Sequence, residues 1–282
     1  MTTGMGRVAR FALHSYFLLL VLFLYLPLVV LVIFAFNDNA LPTLPLSGFT
    51  THWFSQAFSN SELTGSARRS LELAVLDGLL ATALGVLAAA GLAARRLFLR
   101  GVITTILLLP LVVPYIVLAV GLVILLHQLS ITTSLTAVLA GHIVISLPYS
   151  VLVILPRLQT LDASINEAAR DLGASEIWAF TLVTLPLLAP ALVSSFLIAF
   201  TISFDEFAIA SFLAPGGSPT FPVFVYTGAR TPLLQPEVIA IGSLVVIASL
   251  VLVVGAELVR RWWERRIEGR EGDTAPAFAV GA

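Results

Sequence analysis

Residues 12–36 read ALHSYFLLLVLFLYLPLVVLVIFAF and contain no Asp, Glu, Lys or Arg. A stretch this long and this apolar has no polar face to offer water. It fits a helix that crosses roughly 30 Å of hydrocarbon, for which about 20 apolar residues are needed. Five further segments qualify, at 67–93, 102–128, 134–155, 187–213 and 236–259. Their apolar residues run on without alternating, so the period-two pattern of a membrane barrel is missing and helices are expected. The chain as a whole is 59% hydrophobic and 11% charged, against about a quarter charged in soluble domains. The expected fold class is therefore all-α: a polytopic membrane protein with six transmembrane helices, forming a single transmembrane domain over residues 1–282. The first apolar run exceeds the roughly 7–15 residues of a signal-peptide core and is expected to remain as the first span.

The basic residues orient the bundle. All 15 are arginine, with no lysine. If both termini face the cytoplasm, the arginines flanking the spans gather on that side, including Arg260, Arg261, Arg265, Arg266 and Arg270 in the tail at 260–282. Only Arg68, Arg69 and Arg230 are then left outside, so the positive-inside rule favours N-in, C-in. The lack of lysine removes any GxxxxGK[ST] phosphate loop. The lack of cysteine removes disulfides and thiolate metal sites. Net charge is −1, which excludes the broad basic field that nucleic-acid binding requires.

Between the fourth and fifth spans lies a polar insert where a tight turn would have sufficed: NEAARDLGASEIWAFTLVTLPLLAP, from Asn166 to Pro190. Ser164 and Glu167 have capping-box spacing. Gly173 stands where a left-handed helix terminator is wanted, and Ser175 can cap a second helix reaching about Leu185. The expectation is helix, glycine turn, helix. Glu167, Arg170 and Asp171 supply charge, and Ala168 and Ala169 supply a flat flank for another surface. Ile177, Trp178, Leu182 and Val183 are expected to lie back against the bundle.

Glu167, Ala168, Ala169, Gly173, Leu185 and Pro186 also match a longer pattern: EAA, three residues, Gly, nine residues, Ile, one residue, Leu-Pro. The stretch resembles the EAA loop of the membrane permease subunits of binding-protein-dependent ABC importers, with Val183 in the place of isoleucine. The resemblance extends over about residues 45–260 and is nearest to the second permease of spermidine/putrescine-type importers. Permeases for opines, phosphonates, iron or thiamine share much of that scaffold.

The resemblance implies a type I ABC importer permease fold in a bacterial inner membrane, with residues 162–186 as a cytoplasmic coupling helix contacted through Glu167, Ala168, Ala169, Asp171, Gly173, Leu185 and Pro186. It implies as partners a second homologous permease, a dimeric ATP-binding subunit and a periplasmic or lipid-anchored substrate-binding protein. The chain itself would carry no cofactor and no catalytic residue, ATP and magnesium being bound by the partner.

Ionisable residues inside spans are costly and usually face a cavity or a partner. Glu72, Asp77, Asp205 and Glu206 are candidates for a cation pathway; alternatively, Glu72 pairs with Arg68 or Arg69, one turn away. Pro110 and Pro114 are expected to bend the third span beside that pathway, with Gly121 admitting another helix. His127 and His142 read as polar contacts between helices. Trp53, Phe54 and Phe58 lie on one face of a short stretch before the second span, which suits an interfacial helix; the resemblance implies that the receptor docks near them. The loop Pro215–Pro222 is expected to be irregular.

Overall fold

A computed structural model describes residues 7–93, 98–231, 234–248 and 250–251. Its regular elements are helical: α1 (Arg7–Ala35), α2 (His52–Ser59), α3 (Ser61–Ala93), α4 (Arg100–Leu108), α5 (Tyr115–Gln128), α6 (Leu135–Gln159), α7 (Ala163–Asp171), α8 (Glu176–Ala179), α9 (Leu185–Leu187), α10 (Ala189–Phe204), α11 (Ala208–Leu213), α12 (Phe221–Gly228) and α13 (Gln235–Ala248). Phe11–Ala35, Ser61–Ala93 and Leu135–Gln159 are long and apolar enough to cross a membrane. The tail at 260–282 and the far end of the expected sixth span lie outside the described residues.

The third and fifth expected spans are broken. Over 102–128, α4 passes into a 3-10 turn at Leu109–Leu111, and the chain then bends by 105° into α5. Pro110 and Pro114 explain the break. Neither has an amide to donate, and Pro114 adopts ψ 132°, an extended conformation. A bend was expected there, but not a reversal of this size. Over 187–213, helix α10 stops at Phe204 and α11 starts afresh at Ala208. Below it, Glu176–Leu187 meets Ala189–Phe204 at 71°, with a π-helical turn over Phe180–Thr184. Continuous spans at both places are thus corrected to bent pairs. At the fourth span, Ser134 accepts the Ala137 amide at 3.2 Å and caps α6.

Residues 60–227 pack around α3, α6 and α10. Helices α3 and α6 run parallel: Asp77 meets Ser146, and Gly85 meets Ser150 and Ile154. Helix α10 runs against both, with Ser195 beside Thr82 and Ser203 beside His142. Small residues permit the close approach. A Cβ on Gly78 would stand 2.8 Å from the Phe196 ring, one on Gly85 2.6 Å from Ser150 Cβ, and one on Gly141 2.7 Å from Ile209. In a lipid solvent such packing replaces hydrophobic expulsion as the force holding helices together. Gly121 has open space around it, so it admits no neighbouring helix here, and His127 lies exposed. Beyond Pro215 the chain is irregular only as far as Thr220, since Phe221 and Pro222 open α12. The Phe221 amide donates to Ser70 Oγ at 2.8 Å, and Arg69 Nε donates to the Pro219 carbonyl at 3.0 Å.

In the other group of residues, α1 shows an almost wholly exposed apolar surface, as a lipid-facing helix should. The loop after it is knitted by Asn37, whose Oδ1 accepts the Ser47 amide at 3.0 Å. Trp53 Nε1 donates to the Asn37 carbonyl at 2.8 Å, and Phe36 packs between Phe49 and Phe54.

Candidate functional site

The first part of the polar insert becomes a small, well-terminated helix. Asp162, not Ser164, is its N-cap: Asp162 Oδ1 accepts the Ser164 amide at 2.9 Å. The capping box is therefore corrected by two residues; the aspartate carboxylate reaches the open amide first. That amide, and then the Ser164 hydroxyl, hold Asp162 below the usual carboxylate range. At the other end Gly173 has φ +92°. The Gly173 amide donates to Arg170 O at 2.9 Å and the Ala174 amide to Ala169 O at 3.1 Å. This pair of bonds is a Schellman motif, and the left-handed residue it needs is the glycine.

Helix α7 has two unlike sides. Asn166 and Ala169 are half-buried, whereas Glu167, Ala168, Asp171 and Leu172 face outward, Leu172 at 91% exposure. The two alanines are therefore split, with Ala168 free and Ala169 turned inward. Glu167, Arg170, Asp171 and Ala174 line a shallow polar concavity. Arg170 reaches Glu176 at 3.6 Å across the turn.

Ser175 caps α8 as expected, taking the Trp178 amide at 3.3 Å. Ile177, Trp178 and Leu182, however, are corrected from inward to outward: they are 75%, 61% and 63% exposed, and Val183 is half-buried. The three keep ordinary helical spacing and share one face, but that face is the exposed one. Leu185 is half-buried and Pro186 exposed at the start of α9.

The four acidic candidates part company. Glu72 pairs with Arg68 at 2.7 Å on an exposed helix face. Asp205 is exposed at the end of α10. Asp77 is wholly buried, with Oδ2 accepting from Ser146 Oγ at 2.7 Å and Oδ1 without a partner. Glu206 is buried as well. Its two oxygens accept the Ile209 and Ala210 amides at 2.9 and 3.0 Å, and so it opens α11. His142 lies one turn from Ser146 on α6; its Nδ1 meets Ser203 Oγ at 2.7 Å, and its Nε2 stands 3.3 Å from Glu206 Oε2. Asp77 and Glu206 are thus gathered on one buried seam along α6, which no spacing in the sequence predicted. The row Ser203, His142, Glu206 has the order of a hydrolytic triad. All three side chains are buried, and they lie where α6 meets the break between α10 and α11; His142 Nε2 has no hydrogen-bond partner among the described residues.

Of the receptor-docking candidates, Trp53 and Phe54 are engaged with Asn37 and Phe36, while Phe58 is exposed. Pro110 and Pro114 frame the break between α4 and α5.

Comparison with known proteins places this geometry. The family model for the binding-protein-dependent transport system inner membrane component matches residues 81–269. The chain is 32% identical over 251 residues to the spermidine/putrescine transport system permease protein PotC of Escherichia coli (strain K12), covering 89% of this chain and 93% of that protein. It is 34% identical over 231 residues to the putrescine transport system permease protein PotI of the same strain, covering 79% and 81%. In fold it is similar to a chain from the crystal structure of a bacterial ABC transporter involved in import of the acidic polysaccharide alginate, with a TM-score of 0.68 at 17% identity over 93% of this chain and 99% of that one. The chain belongs to the binding-protein-dependent inner-membrane components, the permease subunits of ABC importers.

Proposed function

We propose that this permease forms half of the path for a small organic cation, of the polyamine class, through the bacterial inner membrane. ATP hydrolysis belongs to a separate cytoplasmic subunit whose force arrives through α7. The reading has six spans with both termini in the cytoplasm, the bent pairs counting as one span each and α13 as part of the last. It has a sister permease, an ATPase dimer binding ATP and magnesium, and a substrate-binding protein on the outer face. The permease itself performs no chemistry.

The observation that carries the reading is α7 itself: a capped helix on which Glu167, Ala168 and Asp171, with Leu172 at its end, are exposed. A helix of nine residues has little stability alone. Its exposed apolar leucine and adjoining charges suit a partner's groove. The solute class is supported by the relatives named for spermidine and putrescine and by Asp205, a free carboxylate at the end of α10. Glu72, Asp77, Glu206, Pro110 and Pro114 serve the same path less directly, by pairing, packing or bending the helices around it.

The experiment is reconstitution. The permease is purified together with the sister permease and ATPase of this reading, placed in vesicles and supplied with the receptor and labelled spermidine. ATP-dependent uptake with the ATPase bound supports the reading. A permease that retains no ATPase, or uptake indifferent to ATP, overturns it.

A further inference from the structure

Several helical threonines among the described residues return their hydroxyls to their own helix. Thr104, Thr181, Thr201 and Thr227 each donate to the carbonyl four residues back, at 2.7–3.0 Å. Thr184 does not. The carbonyl four residues behind it, on Phe180, takes the Leu185 amide through the wider π-helical step. The Thr184 hydroxyl, 2% exposed, instead crosses to α7 and donates to Asn166 Oδ1 at 2.9 Å. Asn166 is half-buried on the inward side of α7, one residue before Glu167.

The position of this bond matters mechanically. Helix α7 joins the rest of the chain through its cap at Asp162 and through the turn around Gly173. The second junction is a glycine hinge on the surface. The Asn166–Thr184 bond bypasses that hinge and ties the middle of α7 to the last residue of the π-helical turn. Leu188 lies four residues further on. It is fully buried against Val86, Ala89 and Ile154 of α3 and α6, and there the chain bends by 71° into α10. A push on α7 therefore has a short, non-covalent route to the bend. π-Turns recur at functional sites.

We propose that Asn166 and Thr184 are positioning residues that transmit displacement of α7 to the bent α9–α10 junction, so that their bond sets how much solute moves per ATP hydrolysed. The inference rests on α7 being the ATPase contact. It adds that recruitment and transmission are separable: outward residues recruit, and the inward pair transmits.

The test uses the full complex in vesicles with the receptor and labelled spermidine, and reads three quantities: ATPase retained, ATP hydrolysed and spermidine imported. Thr184→Val keeps shape and removes the donor. The expected result is normal ATPase retention and continuing hydrolysis, with spermidine per ATP reduced about threefold to tenfold, the scale of one lost hydrogen bond. Thr184→Ser restores the hydroxyl and the ratio. Asn166→Ala, which leaves the buried Thr184 side chain intact, reproduces the defect even if Thr184→Val inserts poorly. The double variant is no worse than either single one. An unchanged ratio in Asn166→Ala with the ATPase bound, or defects that multiply in the double variant, overturns the inference alone. A wild-type permease that binds no ATPase overturns the coupling reading and this inference with it.

Discussion

Asp77 on α3 and Ser146 on α6 share a 2.7 Å hydrogen bond at a point where neither side chain touches solvent. The bond satisfies one carboxylate oxygen and leaves the other, Oδ1, without a partner. Removing the serine therefore strands a buried acid, at a cost of about 1–3 kcal/mol. Ser146→Ala should lower the thermal midpoint of the detergent-purified permease. Asp77→Asn should do so less, because it removes the charge that is hard to bury. A melt in which Ser146→Ala is neutral would remove the seam from the list of stabilising contacts.

Two glycines on α3 should respond oppositely to a methyl group. Gly85 lies where an added Cβ would come within 2.6 Å of Ser150 Cβ, whereas Gly91 has nothing within 4 Å. Gly85→Ala should destabilise the bundle by about 1–3 kcal/mol through overpacking. Gly91→Ala should leave it unchanged or raise it by up to about 1 kcal/mol through helix propensity. Adding Ser150→Gly to Gly85→Ala should recover much of the loss. Equal behaviour of the two alanine variants in the same melt would contradict the packing described.

The Asp162 cap predicts a pH dependence of α7. The folded-state pKa is depressed by the Ser164 amide and then its hydroxyl. Its contribution is therefore fully present above the ordinary aspartate value of about 3.9 and is lost as pH falls through the lower, folded value. Hydrogen exchange of the α7 amides, corrected for intrinsic rates, should show constant protection from neutrality down to that range and fraying below it. Asp162→Ala should fray α7 at every pH. Protection that falls between pH 8 and 6 would point to some other group.

Leu172 is the most exposed large apolar residue on the loop, and Glu167 is exposed as well. Leu172→Asp should reduce co-purification of the ATPase by about tenfold or more, since a truncated or charged anchor costs about 2 kcal/mol at an interface centre. Glu167→Ala should do so less. Membrane insertion should be unaltered, as measured by the amount of permease in washed membranes. Full ATPase retention by Leu172→Asp would move the docking surface elsewhere.

Asp205, unlike Glu206, has no structural bond of its own to lose. Asp205→Asn should cut spermidine uptake about fivefold with the ATPase still bound, equivalent to about 1 kcal/mol of charge attraction. Asp205→Glu should keep most of it. If both variants lose uptake equally, the residue acts through shape and not charge.

Much of this was legible in one dimension. The apolar runs dictate helices because lipid offers no partner for a free backbone amide. The Gly173 terminator and the Ser175 cap could be read from neighbours within a few residues, since capping bonds are that short in sequence. Capping was also where local reading slipped: Asp162 and Ser164 are both good caps, and the chain used the first. The prolines at 110 and 114 announced a bend, but its 105° depends on how α4 and α5 pack afterwards.

What the sequence settled alone was the solvent, the helical class and the position of the polar loop, all consequences of composition and of spacing along one helix. Tertiary structure decided which acids are buried, that Trp178 faces outward, and that Asn166 finds Thr184. Those outcomes join residues 18 positions apart in one case and 69 in another. The reason is physical. Periodicity reports which side of a helix is apolar, whereas the partner of a polar group depends on the rotation and depth of a second helix, set here by the glycines that let α3, α6 and α10 come close.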